Sequence, residues 1–158
     1  MVGHERAADG EALVASPSAI TLTIPGEPCA QGRPRLTTFG GHARAYDPPK
    51  SRLWKGVAAM FMRDAMAGRA PMQGALQVQI RATWTCPVSA TKRDGAAPRL
   101  RAKKPDAENV AKAVLDAGNG VLWGDDAQVA RLVVEKWTAA RGEAPGVLVM
   151  VTWLEQGA

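Results

Sequence analysis

The chain has 158 residues, 46% of them hydrophobic, and a formal net charge of +5 at pH 7. Its length suits one domain with its own core, and its composition argues against a disordered chain. No stretch approaches the ~20 apolar residues of a membrane helix and no secretory signal is evident, so we expect a cytoplasmic protein that does not span a membrane. Cys29 and Cys86 are expected to be reduced thiols, although two cysteines also permit one disulfide. The basic surplus weakly favours a polyanionic partner and leaves an anionic membrane surface or a small acidic substrate open.

The first half of the sequence predicts a strand and a helix separated by a long irregular segment. Residues 1–18 are typical of a flexible tail, so the domain is expected to span residues 19–158. Ala19–Ile24 alternates apolar residues with threonine, which predicts a strand. The segment from Pro25 to Pro49 shows no regular pattern, and a loop of this length is more often functional than idle. Lys50–Ala67 has apolar residues at helical spacing and predicts an amphipathic helix.

The second half predicts a strand, a basic segment, a second helix and two strands. Leu76–Trp84 alternates as a strand does, whereas the segment from Pro87 to Pro105 is poor in apolar residues and rich in lysine and arginine. Asp106–Ala117 predicts a helix, and the last two strands are expected at Gln128–Thr138 and Val147–Leu154. This mixture of helices and partly antiparallel strands favours an α+β fold, a single domain with one mixed sheet and two main helices.

Acidic residues gather where the second predicted helix begins. Pro105 suits the approach to a helix, which places Asp106 near the N-cap and Glu108 in the first turn. The ordinary explanation is structural, because acids at this end cap free N–H groups and complement the helix dipole. Lys112 follows Glu108 by four residues and shares its helix face, which alone predicts only a weak surface ion pair.

A second acidic group, Asp125-Asp126, follows Gly124 at the entrance to a strand. Two adjacent aspartates repel each other, and either a solvated turn or a bound cation reduces that repulsion. Joined with Asp106 and Glu108, they form an all-oxygen set of carboxylates, which Mg²⁺ prefers while it takes further ligands from water and phosphate. We therefore predict a magnesium site that acts on a phosphate ester, with the basic segment upstream holding a phosphate backbone.

Four segments around these acids follow one another at close spacing: KPDAEN at 104–109, KAVLDA at 112–117, NGVLW at 119–123 and DDAQV at 125–129. This order resembles the RusA family of Holliday-junction resolvases, which are common in phages and prophages. The resemblance extends, less specifically, to the first predicted strand, to Pro25-Gly26-Glu27-Pro28 and to Arg33-Pro34-Arg35. It therefore covers most of the chain from about residue 19 onward.

The resemblance implies a homodimer that requires Mg²⁺, or Mn²⁺ in its place, and that cuts two strands of a four-way DNA junction symmetrically. It implies metal binding by Asp106, Glu108 and Asp126, with Asp125 as a supporting ligand, and a catalytic role for Lys112. Family members usually carry Asp where this chain has Glu108. The longer side chain keeps the charge and the ligand type but changes the reach of the carboxylate.

Basic residues on the two long predicted loops are the expected DNA contacts. A phosphate clamp around Pro34 is favoured over a solvated loop by the resemblance and by the length of the segment. The basic segment before the second helix is either a DNA-binding loop or an ordinary charged face, and we favour the first. The expected DNA contacts are Arg33, Arg35, Lys92, Arg93, Arg101, Lys103 and Lys104.

The sequence thus predicts a Mg²⁺-dependent endonuclease that resolves Holliday junctions in DNA recombination and repair. One alternative is a module that binds branched DNA without cutting it, and the unusual Glu108 is the feature that points there. A second alternative is a metal-dependent phosphohydrolase of small phosphoesters, which would not need the basic segments.

Overall fold

Two helices lie on one face of a five-stranded mixed sheet, and a separate two-stranded hairpin stands beside them. The computed structural model describes residues 19–154, so the predicted tail at 1–18 and the last four residues lie outside the described part. The helices are α1 (Pro49–Met66) and α2 (Ala107–Gly118), and the strands are β1 (Ala19–Pro25), β2 (Arg35–Phe39), β3 (His42–Tyr46), β4 (Leu76–Trp84), β5 (Arg99–Leu100), β6 (Val129–Thr138) and β7 (Gly146–Trp153).

The strand order in the main sheet is β1–β7–β4–β6–β5. Pairing is antiparallel between β1 and β7, between β7 and β4, and between β5 and β6, whereas β4 and β6 run parallel. A parallel pair cannot be joined by a tight turn, and here the connection contains α2. The predicted α+β fold with a partly antiparallel sheet and two main helices is confirmed. Neither helix of the described part is long and apolar enough to cross a membrane.

The core lies between the helices and one face of the sheet. Alternate residues of β4 are fully buried, while Gln77 and Gln79 point to the other face and are half-exposed. Strand β7 repeats this alternation with Val147, Val149 and Val151. The helices complete the core with Ala58, Met62, Met66, Val110, Ala113, Val114 and Ala117. Among residues 19–154, no helix covers the opposite face of the sheet.

The prediction of an irregular segment from Pro25 to Pro49 is wrong for the second half of that segment, which forms the hairpin β2–β3. The strands turn through Gly40-Gly41, whose φ angles of 61° and 78° are both positive, a combination that glycine adopts without strain. Leu36 of this hairpin is exposed. The other side chains that the structure describes in β2 and β3 are exposed as well, and the sequence of the hairpin lacks the apolar alternation that reveals the other strands.

The predicted helix at Lys50–Ala67 is confirmed to within a residue, but most of its predicted apolar residues face outward. Leu53 is 71% exposed and Met60 is 61% exposed. The face that packs on the sheet is instead formed by Ser51, Ala58, Met62 and Met66. Helix α1 therefore has two apolar faces, and only one of them is covered within the described part of the chain.

The end of α2 is closed by a tight contact between Gly118 and the fully buried indole of Trp123. A Cβ added to Gly118 would lie 2.8 Å from two ring carbons of Trp123, closer than real Cβ contacts. A glycine at a helix end usually offers backbone freedom, but here it offers the space that a buried aromatic ring occupies.

We expect Gly118→Ala to lower the free energy of unfolding by about 1–3 kcal/mol, because the ring must move in a close-packed core. Gly56→Ala is the matched control. A Cβ added at this exposed position of α1 meets nothing within 4 Å, so alanine should raise the stability by about 0.5–1 kcal/mol through helix propensity. Urea unfolding of both variants measures the two effects, and equal effects of the same sign would contradict the steric account.

Candidate active site

The N-cap residue of α2 is Asp106, but its side chain does not cap the helix. Its backbone is extended, with φ −70° and ψ 146°, and its carboxylate accepts no capping hydrogen bond. Glu108 lies in the first turn, and both acids are exposed. The ordinary explanation for Asp106 as a hydrogen-bonding cap therefore fails, although the helix dipole still favours an acid here. Both carboxylates remain available to a ligand from solution.

The loop before Asp106 is held by a lysine of the sheet. The ammonium of Lys136, near the end of β6, donates to the carbonyl oxygens of Lys103 at 2.8 Å and Pro105 at 2.7 Å. The backbone N–H of Arg101 donates to the Lys136 carbonyl at 2.8 Å. An ammonium has three donors, and two of them here fix carbonyls on either side of Lys104. Lys136 thus fixes the backbone directly in front of the first acid.

Arg101 also holds this loop. Its guanidinium lies 5.0 Å from the centre of the Trp84 ring and donates to the carbonyl of Lys104 at 3.1 Å. The side chain is half-buried, and its Nε is buried without a hydrogen-bond partner in the described part of the chain. Its contacts give Arg101 a structural role, and its predicted DNA contact stays a prediction.

The second acidic group begins a short 3₁₀ turn, residues 126–128, just before β6. Asp125 is the N-cap of this turn, and its carboxylate accepts from the N–H of Ala127 at 2.7 Å. The Gln128 amide oxygen accepts from the N–H groups of Gly124 and Asp125, and its nitrogen donates to two carbonyls of the segment before β4. A structural cap therefore explains Asp125.

Asp126 differs from its neighbour because a buried indole orients it. The Nε1–H of Trp123 donates to Oδ1 of Asp126 at 2.8 Å. The ring that makes this bond is itself fixed by its packing on Gly118. A buried indole N–H needs an acceptor, and a half-exposed carboxylate held in this way presents its second oxygen in a defined direction.

The two acidic groups lie at opposite ends of α2 in one chain. Asp106 precedes α2, whose 12 residues rise by roughly 18 Å, and the Trp123 that bonds Asp126 packs on Gly118 at the far end. Strand β6 gives the same separation. Asp126 lies just before the first residue of β6, whereas Lys136, which holds the loop before Asp106, lies seven residues or roughly 23 Å further along the strand. Among residues 19–154, no group of three His, Cys, Asp or Glu side chains is placed to hold a metal ion.

A charged network lies beside Lys112, one turn into α2 from Glu108. Lys55 of α1 donates to Asp47 at 2.5 Å and to Asp116 at 3.0 Å. The hydrogen bond from Lys55 lowers the pKa of Asp47, and the charge of Lys112 contributes in the same direction. Burial of Lys55 opposes its charge, but the hydrogen bonds to the two aspartates outweigh it and raise the pKa of Lys55. The network therefore ties α1 to α2 on the face that carries Lys112.

The same network holds the segment that carries Arg33. Gln31 donates to Asp47 at 2.6 Å, and the Gln31 N–H donates to the carbonyl of Asn109 at 2.8 Å. The segment therefore crosses the first turn of α2 directly beside Glu108. Arg33 follows two residues later and is exposed.

Most of the predicted DNA contacts surround the Asp106 end of the sheet. Their loops follow the carboxyl end of β4 or flank β5, which pairs with the last residues of β6. Arg35 begins β2, and its side chain is outside the described part. The exposed basic residues among these predicted contacts are Arg33, Lys92, Arg93, Lys103 and Lys104.

Sequence reasoning missed Lys136, Asp47 and Lys55. Lys136 bonds backbone carbonyls, and every residue has a backbone carbonyl, so the sequence does not indicate which ones are bonded. Asp47 and Lys55 are eight residues apart and meet only because the chain turns into α1 between them. In the sequence, only the order of the segments around α2 indicated a functional site. That order identifies the acidic residues but not the residues that hold them in place.

We expect Lys136→Met to lower the free energy of unfolding by about 1.5–3 kcal/mol, because two carbonyls lose a charged donor. Hydrogen exchange should accelerate most at the amides of residues 101–108. Arg131→Met is the matched control on the same strand. Within residues 19–154, the Arg131 side chain bonds only the side chain of Gln77, so this substitution should lower the free energy of unfolding by under ~0.5 kcal/mol. Unchanged exchange in the loop of Lys136→Met would contradict the anchoring role.

The Lys55 network predicts a stability difference that depends on pH. The lowered pKa of Asp47 stabilises the fold above the ordinary value of 3.8, and that contribution is lost as the pH falls through the folded value. The raised pKa of Lys55 stabilises the fold below the ordinary value of 10.5, and that contribution is lost as the pH rises through the folded value. Wild type should therefore exceed Lys55→Met most between about pH 5 and 9 in urea unfolding. A difference that is constant with pH would refute the ion-pair account.

Comparison with known proteins identifies the family to which the chain belongs. A family model described as Endodeoxyribonuclease RusA matches residues 25–152, a span that includes both acidic groups and every predicted DNA contact. The chain is also 33% identical, over 138 residues, to the uncharacterized protein YqaN of Bacillus subtilis (strain 168), a match that covers 84% of this chain and 94% of the relative. The chain therefore belongs to the RusA family of endodeoxyribonucleases.

Proposed function

We propose that this nuclease is a Mg²⁺-dependent homodimer that resolves four-way DNA junctions by paired symmetric nicks, in recombination and repair. The observation that carries the proposal is the carboxylate of Asp106, which occupies an N-cap position without capping and stands beside Glu108 in solvent. Exposed basic residues surround this end of the sheet. A phosphate backbone held there would lie against two free carboxylates.

The carboxylate donors suit a magnesium ion chemically, and the separation of the acids within one chain supports a third ligand from a second chain. Mg²⁺ prefers carboxylate oxygens at about 2.1 Å, so its ligands must converge on one point. Asp106 and Glu108 share the first turn of α2, but Asp126 lies a helix length away in the same chain. We therefore assign the third ligand to Asp126 of the partner subunit, so that a two-fold symmetric dimer has two complete sites.

The side chains of this site have separable tasks. When bound, the metal ion supplies Lewis-acid activation of the scissile phosphate and of water. Lys112, exposed one turn from Glu108, neutralises charge that develops on the phosphate. Arg33 and the lysines before Asp106 hold the DNA backbone without reading its sequence. Water attacks the phosphorus and the P–O3′ bond breaks, which leaves a 5′-phosphate and a 3′-hydroxyl.

Mixed dimers test the function and the shared site together. With a synthetic four-way junction and Mg²⁺, wild type should give paired nicks, while Asp106→Asn and Asp126→Asn should each lose cleavage by about 10³-fold or more. A mixture of the two inactive variants should regain nicking, because one site of each mixed dimer has both acids intact. At equal mixing, about a quarter of the sites are complete, and the nicks should be unpaired.

The controls separate the alternatives. Glu143→Gln, a change at an exposed acid in the turn before β7, should cleave as wild type does. No recovery in the mixture would show that each chain supplies its own ligands. Junction binding without cleavage in Mg²⁺ or Mn²⁺ would replace the proposal with a non-catalytic binding module. Hydrolysis of small phosphoesters that does not weaken as salt rises would replace it with a phosphohydrolase.

A further inference from the structure

The outer face of α1 carries a row of five residues at alternating spacings of three and four: Lys50, Leu53, Val57, Met60 and Asp64. All five are exposed, Val57 at 38%, and Phe61, 36% exposed, lies beside them. This α1 seam is opposite Ala58 and Met62, which pack on the sheet. It has an apolar centre and one charge of each sign at its ends.

Spacing of this kind is the pattern with which one helix packs against another. Apolar residues every 3.5 positions form the contact line of paired helices, and soluble proteins rarely leave such a line open to water. Within the described part of the chain, the seam is not covered. The charged ends of the seam indicate what covers it.

We propose that a second copy of this chain covers the α1 seam, with the two α1 helices antiparallel about a two-fold axis near Val57. Lys50 and Asp64 stand seven residues before and after Val57. Antiparallel pairing brings each Lys50 to Asp64 of the partner subunit, twice per dimer. Parallel pairing would bring like charges together, so the charges select the antiparallel form.

The apolar residues of the seam complement themselves about the same axis. Leu53 lies four residues before Val57 and Phe61 four residues after it, so each leucine faces the aromatic ring of the other copy. Val57 faces its own symmetry mate. A two-fold interface requires this kind of self-complementarity.

The same packing would also bring the two acidic groups of different copies to one side of the dimer. This part of the inference rests on the proposed function. The N-terminal ends of α1 and α2 are joined through residues 31–32, since Gln31 bonds Asn109 and Gly32 bonds Ser51. At the other end, Met66 of α1 and Gly120 after α2 line one shallow cavity. The two helices therefore run in the same direction, and antiparallel seams bring the Asp106 end of one copy to the side where the other copy has Asp126.

Charge reversal in the full-length chain tests the seam directly. Sedimentation velocity should give a dimer for wild type and a dissociation constant raised by tenfold or more for Lys50→Glu and for Asp64→Lys. The double variant restores both pairs with reversed sign and should return to within about threefold of wild type. Rescue of this kind requires the two residues to face each other, which a merely structural role of either one would not produce.

Cross-linking gives a second readout. Val57→Cys should form an intermolecular disulfide under mild oxidation, because a residue on the axis lies near its own mate. Val88→Cys, at a position that is 94% exposed on the loop after β4, is the control and should not. The native Cys29 and Cys86 are free and buried, so they should not contribute.

The outcomes separate this inference from the proposed function. A monomeric wild type, or a dimer that neither charge reversal weakens and Val57→Cys does not cross-link, overturns the seam. If mixed Asp106→Asn and Asp126→Asn chains still recover nicking in that case, the function stands and the interface lies elsewhere. A dimer with the expected rescue and no cleavage of junctions supports the seam and refutes the nuclease proposal alone.

Discussion

The parallel pairing of β4 with β6 is the constraint from which the rest of the arrangement follows. Parallel neighbours cannot be joined by a hairpin, so the chain must return along the full length of the sheet before β6 begins. Helix α2 makes that return. An acid that precedes α2 and an acid that follows it are consequently placed at opposite ends of the sheet. The separation of Asp106 from Asp126 is a property of the topology, and no local rearrangement of side chains removes it.

Each end of that return has its own anchor in the sheet. At the start, Lys136 binds the carbonyls before Asp106. At the finish, the Trp123 ring fills the space above Gly118 and bonds Asp126 through its indole nitrogen. The first anchor is polar and near the surface, whereas the second belongs to the core. Perturbation of the core should therefore reach Asp126 more directly than Asp106.

The sequence predicted what depends on periodicity and missed what depends on contacts distant along the chain. Strand β4 was predicted with its observed bounds because one of its faces is buried, which imposes alternation. Helix α2 was predicted because its apolar face and the proline before it mark its start. The hairpin β2–β3 was not predicted because its sequence lacks apolar alternation. The support given by Lys136 was not predicted because backbone carbonyls have no sequence signature. The apolar spacing in α1 predicted a buried helix face, but it did not indicate whether the sheet or another molecule covers that face.

That ambiguity in α1 and the separation of the acids have one common solution. A helix with two apolar faces needs two partners, and the sheet supplies only one of them. A pair of acids and a third acid at the far end of α2 need a second chain if they are to share an ion. The proposed antiparallel pair of α1 seams would supply both from one symmetry operation, and the same symmetry would produce two sites rather than one. The proposed cutting of two junction strands requires two sites, so dimer formation and paired cleavage would have the same structural origin.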